Sequence, residues 1–121
     1  MGYRSKVAVV IYGDSRDAEK YALLKTLMNT TFKEAYTEFD GNAEWHDDKR
    51  VLEFAMEDVK WYDGYGDVKL FMAMLEDIVD LEGFNYEFIR IGEDANDVDE
   101  QYGGKNCEHT LSVSRVIEVN L

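Results

Sequence analysis

Carboxylates are the most abundant reactive groups in this chain, so the first question is whether any set of them converges on one task. The 121 residues carry 26 Asp and Glu against 13 Lys and Arg, a formal charge of −13. Asp94, Asn96, Asp97, Asp99 and Glu100 offer enough oxygens for calcium. Their spacing nevertheless misses the EF-hand loop: Val98 stands where a ligand is needed, and the turn glycine is absent. His46-Asp47-Asp48 and Cys107 with His109 are the transition-metal candidates, and two histidines with one cysteine lack the paired spacing of a structural zinc site. In an extended segment Cys107 and His109 would share a face, but no third group is placed to orient either for nucleophilic attack. Gly103-Gly104-Lys105 lacks the strand-loop-helix context of a phosphate-binding loop. No carboxylate pair lies in an apolar setting that would drive two pKa values apart for acid–base work. The expectation is a non-catalytic protein with no metal and no cofactor.

Two other sets suit binding. In the segment Trp61-Tyr62-Asp63-Gly64-Tyr65-Gly66-Asp67, rigid aromatics alternate with carboxylates. Such residues give contact area at low entropic cost and can anchor an Arg or Lys. The candidate partner-binding residues are Trp61, Tyr62, Asp63 and Tyr65, joined by Asp94, Asp97, Asp99 and Glu100 from a long polar stretch. The plainer account is that the aromatics cover a sheet end while the glycines shape a turn. The second set is Arg90, in step with Phe84, Tyr86 and Phe88, and Arg115, in step with Leu111, Val113, Ile117 and Val119. Each should point to the apolar side of its strand, where an arginine needs a carboxylate partner or an anionic ligand. These two are the candidates for an alternative function, the binding or sequestering of a nucleotide or other small anion.

The net charge bears on partners. A field of that sign repels phosphate backbones, which disfavours direct nucleic-acid binding and favours proteins with basic surfaces. Solubility alone also accounts for acidity.

These groups must be positioned by a single domain spanning 1–121, since neither linker nor repeat divides the chain. Val7 to Tyr12 reads as a central strand buried on both faces, too short to span a bilayer. Gly13 breaks it, and Asp14 or Ser15 caps a helix running towards Asn29 on the spacing of Tyr21, Leu24, Met28 and Phe32. The stretch from Phe32 to Phe39 reads as a short edge strand, with helix as the other option. Leu52, Phe54 and Met56 alternate as a strand whose parity then shifts to Val59 and Trp61, the mark of a β-bulge. Asp67 caps a second helix with an apolar stripe of Val68, Phe71, Met72, Leu75, Ile78 and Val79, closed by Gly83. Strands at Phe84–Phe88 and Leu111–Val119 flank a long polar loop. The order β-α-(β)-β-α-β-β predicts an α+β, two-layer sandwich. Two helices lie on one face of a mostly antiparallel sheet, a ferredoxin-like variant with an added C-terminal strand. One cysteine allows no intrachain disulfide, as suits a reducing cytoplasm, and exposed sheet edges leave a homodimer open.

Several short pieces resemble a family of small proteins encoded by tailed bacteriophages. They are Met1-Gly2-Tyr3-Arg4-Ser5-Lys6-Val7, then Val59-Lys60-Trp61-Tyr62 with Tyr65 and Asp67-Val68, Ile89-Arg90-Ile91-Gly92-Glu93-Asp94, and Val113-Ser114-Arg115 with Ile117 and Val119. They cover about a fifth of the chain, and none falls between Asp14 and Arg50. The resemblance implies a viral accessory protein in the host bacterial cytoplasm, and it brings no activity or site residues. Joined to the charge, it leads to the expectation of an inhibitor that occupies a basic surface of a host or defence protein, as a nucleic-acid mimic in its strongest form.

Overall fold

The run Val7–Tyr12 is apolar at every position because it lies at the centre of a sheet covered on both sides. In the computed structural model, which describes residues 3–62, 64–94, 96–113 and 117–121, this run belongs to strand β1, Ser5–Gly13. Val7, Val9 and Ile11 face one core, while Ala8, Val10 and Tyr12 face another. The chain continues through helices α1 (Ala18–Asn29) and α2 (Lys33–Phe39), strands β2 (Ala43–His46) and β3 (Val51–Val59), helix α3 (Gly66–Asp80), and strands β4 (Phe84–Ile91) and β5 (Val98–Gly103). A hairpin of β6 (Leu111–Val113) and β7 (Ile117–Val119) completes it. The five-stranded sheet has the order β2-β3-β1-β4-β5, antiparallel throughout. Its first four strands follow the ferredoxin-like order, and β5 is added beside β4. The protein is an α+β sandwich.

The helix layer contains three helices rather than two, because Phe32 to Phe39 is helical. Phe32, Ala35, Tyr36 and Phe39 fall three to four residues apart, and all four turn towards the core, which a strand of alternating faces would not allow. Thr30 and Thr31 interrupt α1 before α2 begins, and the short edge strand expected there is supplied by β2 instead. Helix α1 is capped by Asp17, whose carboxylate accepts from the Glu19 amide at 2.8 Å, after a tight turn at Asp14–Arg16. Helix α3 buries Val68, Phe71, Met74, Leu75 and Ile78, each contributing about 1.5–3 kcal/mol. Its left-handed C-terminal residue is Glu82 (φ 58°), one position before Gly83 (φ 82°). The parity shift in β3 is a bulge: Ser5 pairs with Val59 but Val7 with Met56, and Asp58 takes a left-handed φ of 53°.

The polar stretch after β4 is not all loop. Val98–Gly103 pairs with β4 in register, Arg90 opposite Asp99 and Tyr86 opposite Gly103. The β6–β7 hairpin does not extend the sheet. It lies against the back face, where Leu111, Ile117, Val119 and Leu121 pack on Val10, Tyr12, Val51 and Ile89. This cover, with residues 104–106 that lead to it, buries Asn85 and Glu87 completely. Glu87 accepts from the Tyr12 hydroxyl at 2.6 Å, the Leu111 amide at 3.0 Å and the Thr110 hydroxyl at 3.3 Å. Asn85 donates to Asp14 at 2.8 Å and accepts from the Asn106 amide at 2.9 Å. No helix is long and apolar enough to cross a membrane, among the described residues.

Candidate functional site

Strand β4 delivers Arg90 to the helix-side face of the sheet, as its phase requires, and the following turn delivers its partner. Asp97 takes the guanidinium with both oxygens, at 2.6 Å and 3.1 Å, and also accepts the Tyr3 hydroxyl at 2.6 Å. Arg90 reaches the buried Ser5 hydroxyl at 3.3 Å. The Arg90 guanidinium, helped by Tyr3, holds the Asp97 carboxyl down at about 2. Gly92 makes the cluster possible, because a Cβ there would run into the Asp97 carboxylate and the Tyr3 ring and hydroxyl. The Tyr3 amide in turn donates to the Tyr62 hydroxyl at 2.6 Å. Trp61, Tyr62 and Asp99 line the shallow cleft over this cluster.

This geometry revises the expected binding set. Trp61 is 6% exposed and stacks among Phe39, Phe71 and Phe88, so it belongs to the core and offers no contact area. Tyr62 is half-buried, and Tyr65, 45% exposed, stands edge-on to it at 5.0 Å. Asp97 is committed to Arg90. Asp94 is exposed, but Asp99 and Glu100 project to opposite faces of β5, so the acidic stretch does not form one surface or one calcium cage. Arg90 is already satisfied by a carboxylate and is therefore not a waiting anion site. Asp63 and Arg115 lie outside the described residues.

The remaining candidates also separate. Cys107 faces the carbonyl oxygens of Gly103 at 3.2 Å and Tyr86 at 3.3 Å, and burial pushes its thiol up, away from the thiolate a nucleophile needs. His109 lies tilted against Tyr102 with ring centres 4.8 Å apart. Asp47 turns from His46 to Tyr21 and Lys25, at 2.5 Å and 3.0 Å. Both hydrogen bonds hold its carboxyl below the usual range, Tyr21 contributing the larger part.

Exposed carboxylates gather instead on the helix layer. Glu34, Glu38 and Asp40 lie on or beside α2, and Asp77, Asp80 and Glu82 on or just beyond the last turn of α3. None of the six is in an ion pair among the described residues. The last turns of α1, α2 and α3 carry no basic residue to offset the negative end of the helix dipole. Leu81, 49% exposed, sits between Asp80 and Glu82. Spacing alone did not single out this end of α3, although the run Glu76-Asp77 and Asp80-Leu81-Glu82 was visible.

No protein-family model, curated protein or solved structure matches the chain.

Proposed function

We propose that this is a phage-encoded accessory protein that acts without catalysis, docking its acidic helix layer on a basic surface of a host or defence protein in the bacterial cytoplasm. The observation that supports this reading most is the end of α3. Asp77, Asp80 and Glu82 are exposed, unpaired among the described residues, and set at the negative pole of a helix, where each costs about 0.3–1 kcal/mol. Glu82 adds a left-handed backbone that a glycine would hold at lower cost. Charge placed against local stability is what a surface built for a cationic partner requires. Leu81 supplies an apolar anchor within the charged patch, and the sequence resemblance to phage proteins supplies the setting. The nucleotide-sequestering alternative is the weaker reading, since Arg90 is held by Asp97.

The deciding experiment is capture from bacterial lysate by the tagged protein at low and moderate salt, with mass spectrometry of bound proteins and extraction of small ligands. A protein partner released steeply by salt is expected, together with its loss from the variant Asp77→Asn/Asp80→Asn/Glu82→Gln. Salt-insensitive capture, unchanged in that variant, overturns the proposal. Recovery of a nucleotide without a protein partner favours the alternative.

A further inference from the structure

Strand pairing places two carboxylates against each other on the back face of the sheet, near its free edge. Glu44 of β2 lies directly opposite Glu53 of β3. Like charges at opposed positions repel across an antiparallel pair. His46 follows Glu44 two residues later, so its ring is on the same face. Its Nε2 lies 2.8 Å from Glu44 Oε2 and 2.7 Å from Glu53 Oε1. One ring nitrogen thus serves two carboxylates, and a single N–H cannot point at both. The side chains of His46 and Glu53 are 22% and 15% exposed, whereas that of Glu44 is 69% exposed. The set is therefore half sunk in the sheet and open on one side.

We propose that Glu44, His46 and Glu53 form a binding site for a divalent first-row transition-metal ion, with Zn²⁺ the ion this donor set favours. Neutral imidazole nitrogen with carboxylate oxygen suits a borderline ion, whereas Mg²⁺ and Ca²⁺ take oxygen alone. The ion would take the place of the hydrogen on Nε2, the neutral imidazole keeping its proton on Nδ1, and would neutralise both carboxylates together. The three ligand atoms already lie within 4.8 Å of one another. Bonds of about 2.0–2.1 Å set neighbouring ligand atoms roughly 2.9–3.4 Å apart, so His46 needs to draw back from each carboxylate by only a few tenths of an ångström. The exposed Glu44 arm is free to supply that movement. Three protein ligands leave the outward positions to water, and the ion would clip the short strand β2 to β3. The sequence pattern paired His46 with Asp47 and Asp48, which project elsewhere; the cross-strand register supplies its partners instead.

The test is calorimetric titration of the full chain with Zn²⁺ in a non-chelating buffer, with Co²⁺ as a spectroscopic stand-in. One ion per chain is expected, with a Co²⁺ spectrum of nitrogen and oxygen ligation and no displacement by excess Mg²⁺. His46→Ala and Glu44→Gln should each weaken binding at least tenfold, since loss of even an outer-shell partner costs about 10–100-fold. The Glu44 variant alters an exposed side chain and keeps the fold, so its result stands if His46→Ala is unstable. Asp77→Asn/Asp80→Asn, remote in sequence and on the helix layer, should bind as the parent does. Absence of one-to-one binding, or equal binding by parent, His46→Ala and Glu44→Gln, overturns the site and assigns any uptake to diffuse surface acidity.

Discussion

Replacing Tyr12 by Phe removes one oxygen from the protein and leaves the ring in place, which isolates the value of the buried polar cluster on the back of the sheet. That oxygen donates to Glu87 at 2.6 Å and accepts from the Glu108 amide at 2.6 Å. Burial pushes the phenol well above its ordinary range, so the hydroxyl keeps its proton. A hydrogen bond to a carboxylate contributes about 1.5–3 kcal/mol, and the stranded Glu87 oxygen adds to the loss because only the long Thr110 contact, 3.3 Å, remains to it. The Glu108 amide belongs to an exposed residue and can turn to water, so it adds little. The sum is about 2–4 kcal/mol. At about 2.1 cal/mol/K per residue, a chain of 121 residues has an unfolding entropy near 0.25 kcal/mol/K, so Tm should fall by about 8–16 °C. Thermal unfolding followed by circular dichroism reads this directly, and hydrogen exchange should quicken at the amides of Glu108 and Leu111. Tyr21→Phe is the control. Its hydroxyl meets the exposed Asp47, so the loss should stay below about 1 kcal/mol. A Tyr12→Phe protein that melts within about 2 °C of the parent, with unchanged exchange, would refute the claim that this cluster fastens the C-terminal hairpin.

Three further outcomes are expected. Glu82→Gly relieves a left-handed backbone and removes a carboxylate from the end of α3, so stability should rise by a net ~0.5–1 kcal/mol after the added flexibility of the unfolded chain, measured by urea unfolding. Gly92→Ala drives a methyl into Asp97 and Tyr3 and should cost about 1–3 kcal/mol, with the Asp97 carboxyl returning towards its ordinary range in an NMR titration. On acidification, the contribution of the Asp97–Arg90 pair is present in full above about pH 4. Because the folded-state pKa is depressed, that contribution disappears as the pH falls towards about 2. The acid limb of a Tm-against-pH curve should therefore flatten in Asp97→Asn.

Much of the scaffold was legible because its signals are local. Val7–Tyr12 could only be a strand covered on both faces, the stripe on α3 had helical spacing, and the parity shift after Met56 announced the bulge. What escaped depended on partners distant in the chain. Phe32 to Phe39 allowed two periods, and the inward turn of Phe32, Ala35, Tyr36 and Phe39 decided it. Asn85 and Glu87 fall in the polar phase of β4, yet both are fully buried. They are buried because residues some twenty positions later close over them, Asn106 on Asn85 and Thr110 with Leu111 on Glu87. A hint was present, since a neighbour of a strand buried on both faces must itself be covered on both. In the same way Arg90 declared its need for a carboxylate, but only the fold could choose Asp97, and only register could bring Glu53 to His46.

The covering of the sheet's back face has a consequence for the order in which the molecule is made. Strands β1, β3 and β4 precede residues 106–121 in the chain, so the central sheet can pair while Val10, Tyr12, Val51 and Ile89 are still uncovered. During that interval Glu87 is hydrated rather than sealed, and a charged side chain sits amid an apolar surface of a nascent chain. A charge so placed disfavours premature association of such a surface. When the hairpin arrives, the same carboxylate becomes the catch that closes it, so one residue protects the unfinished sheet and then completes it.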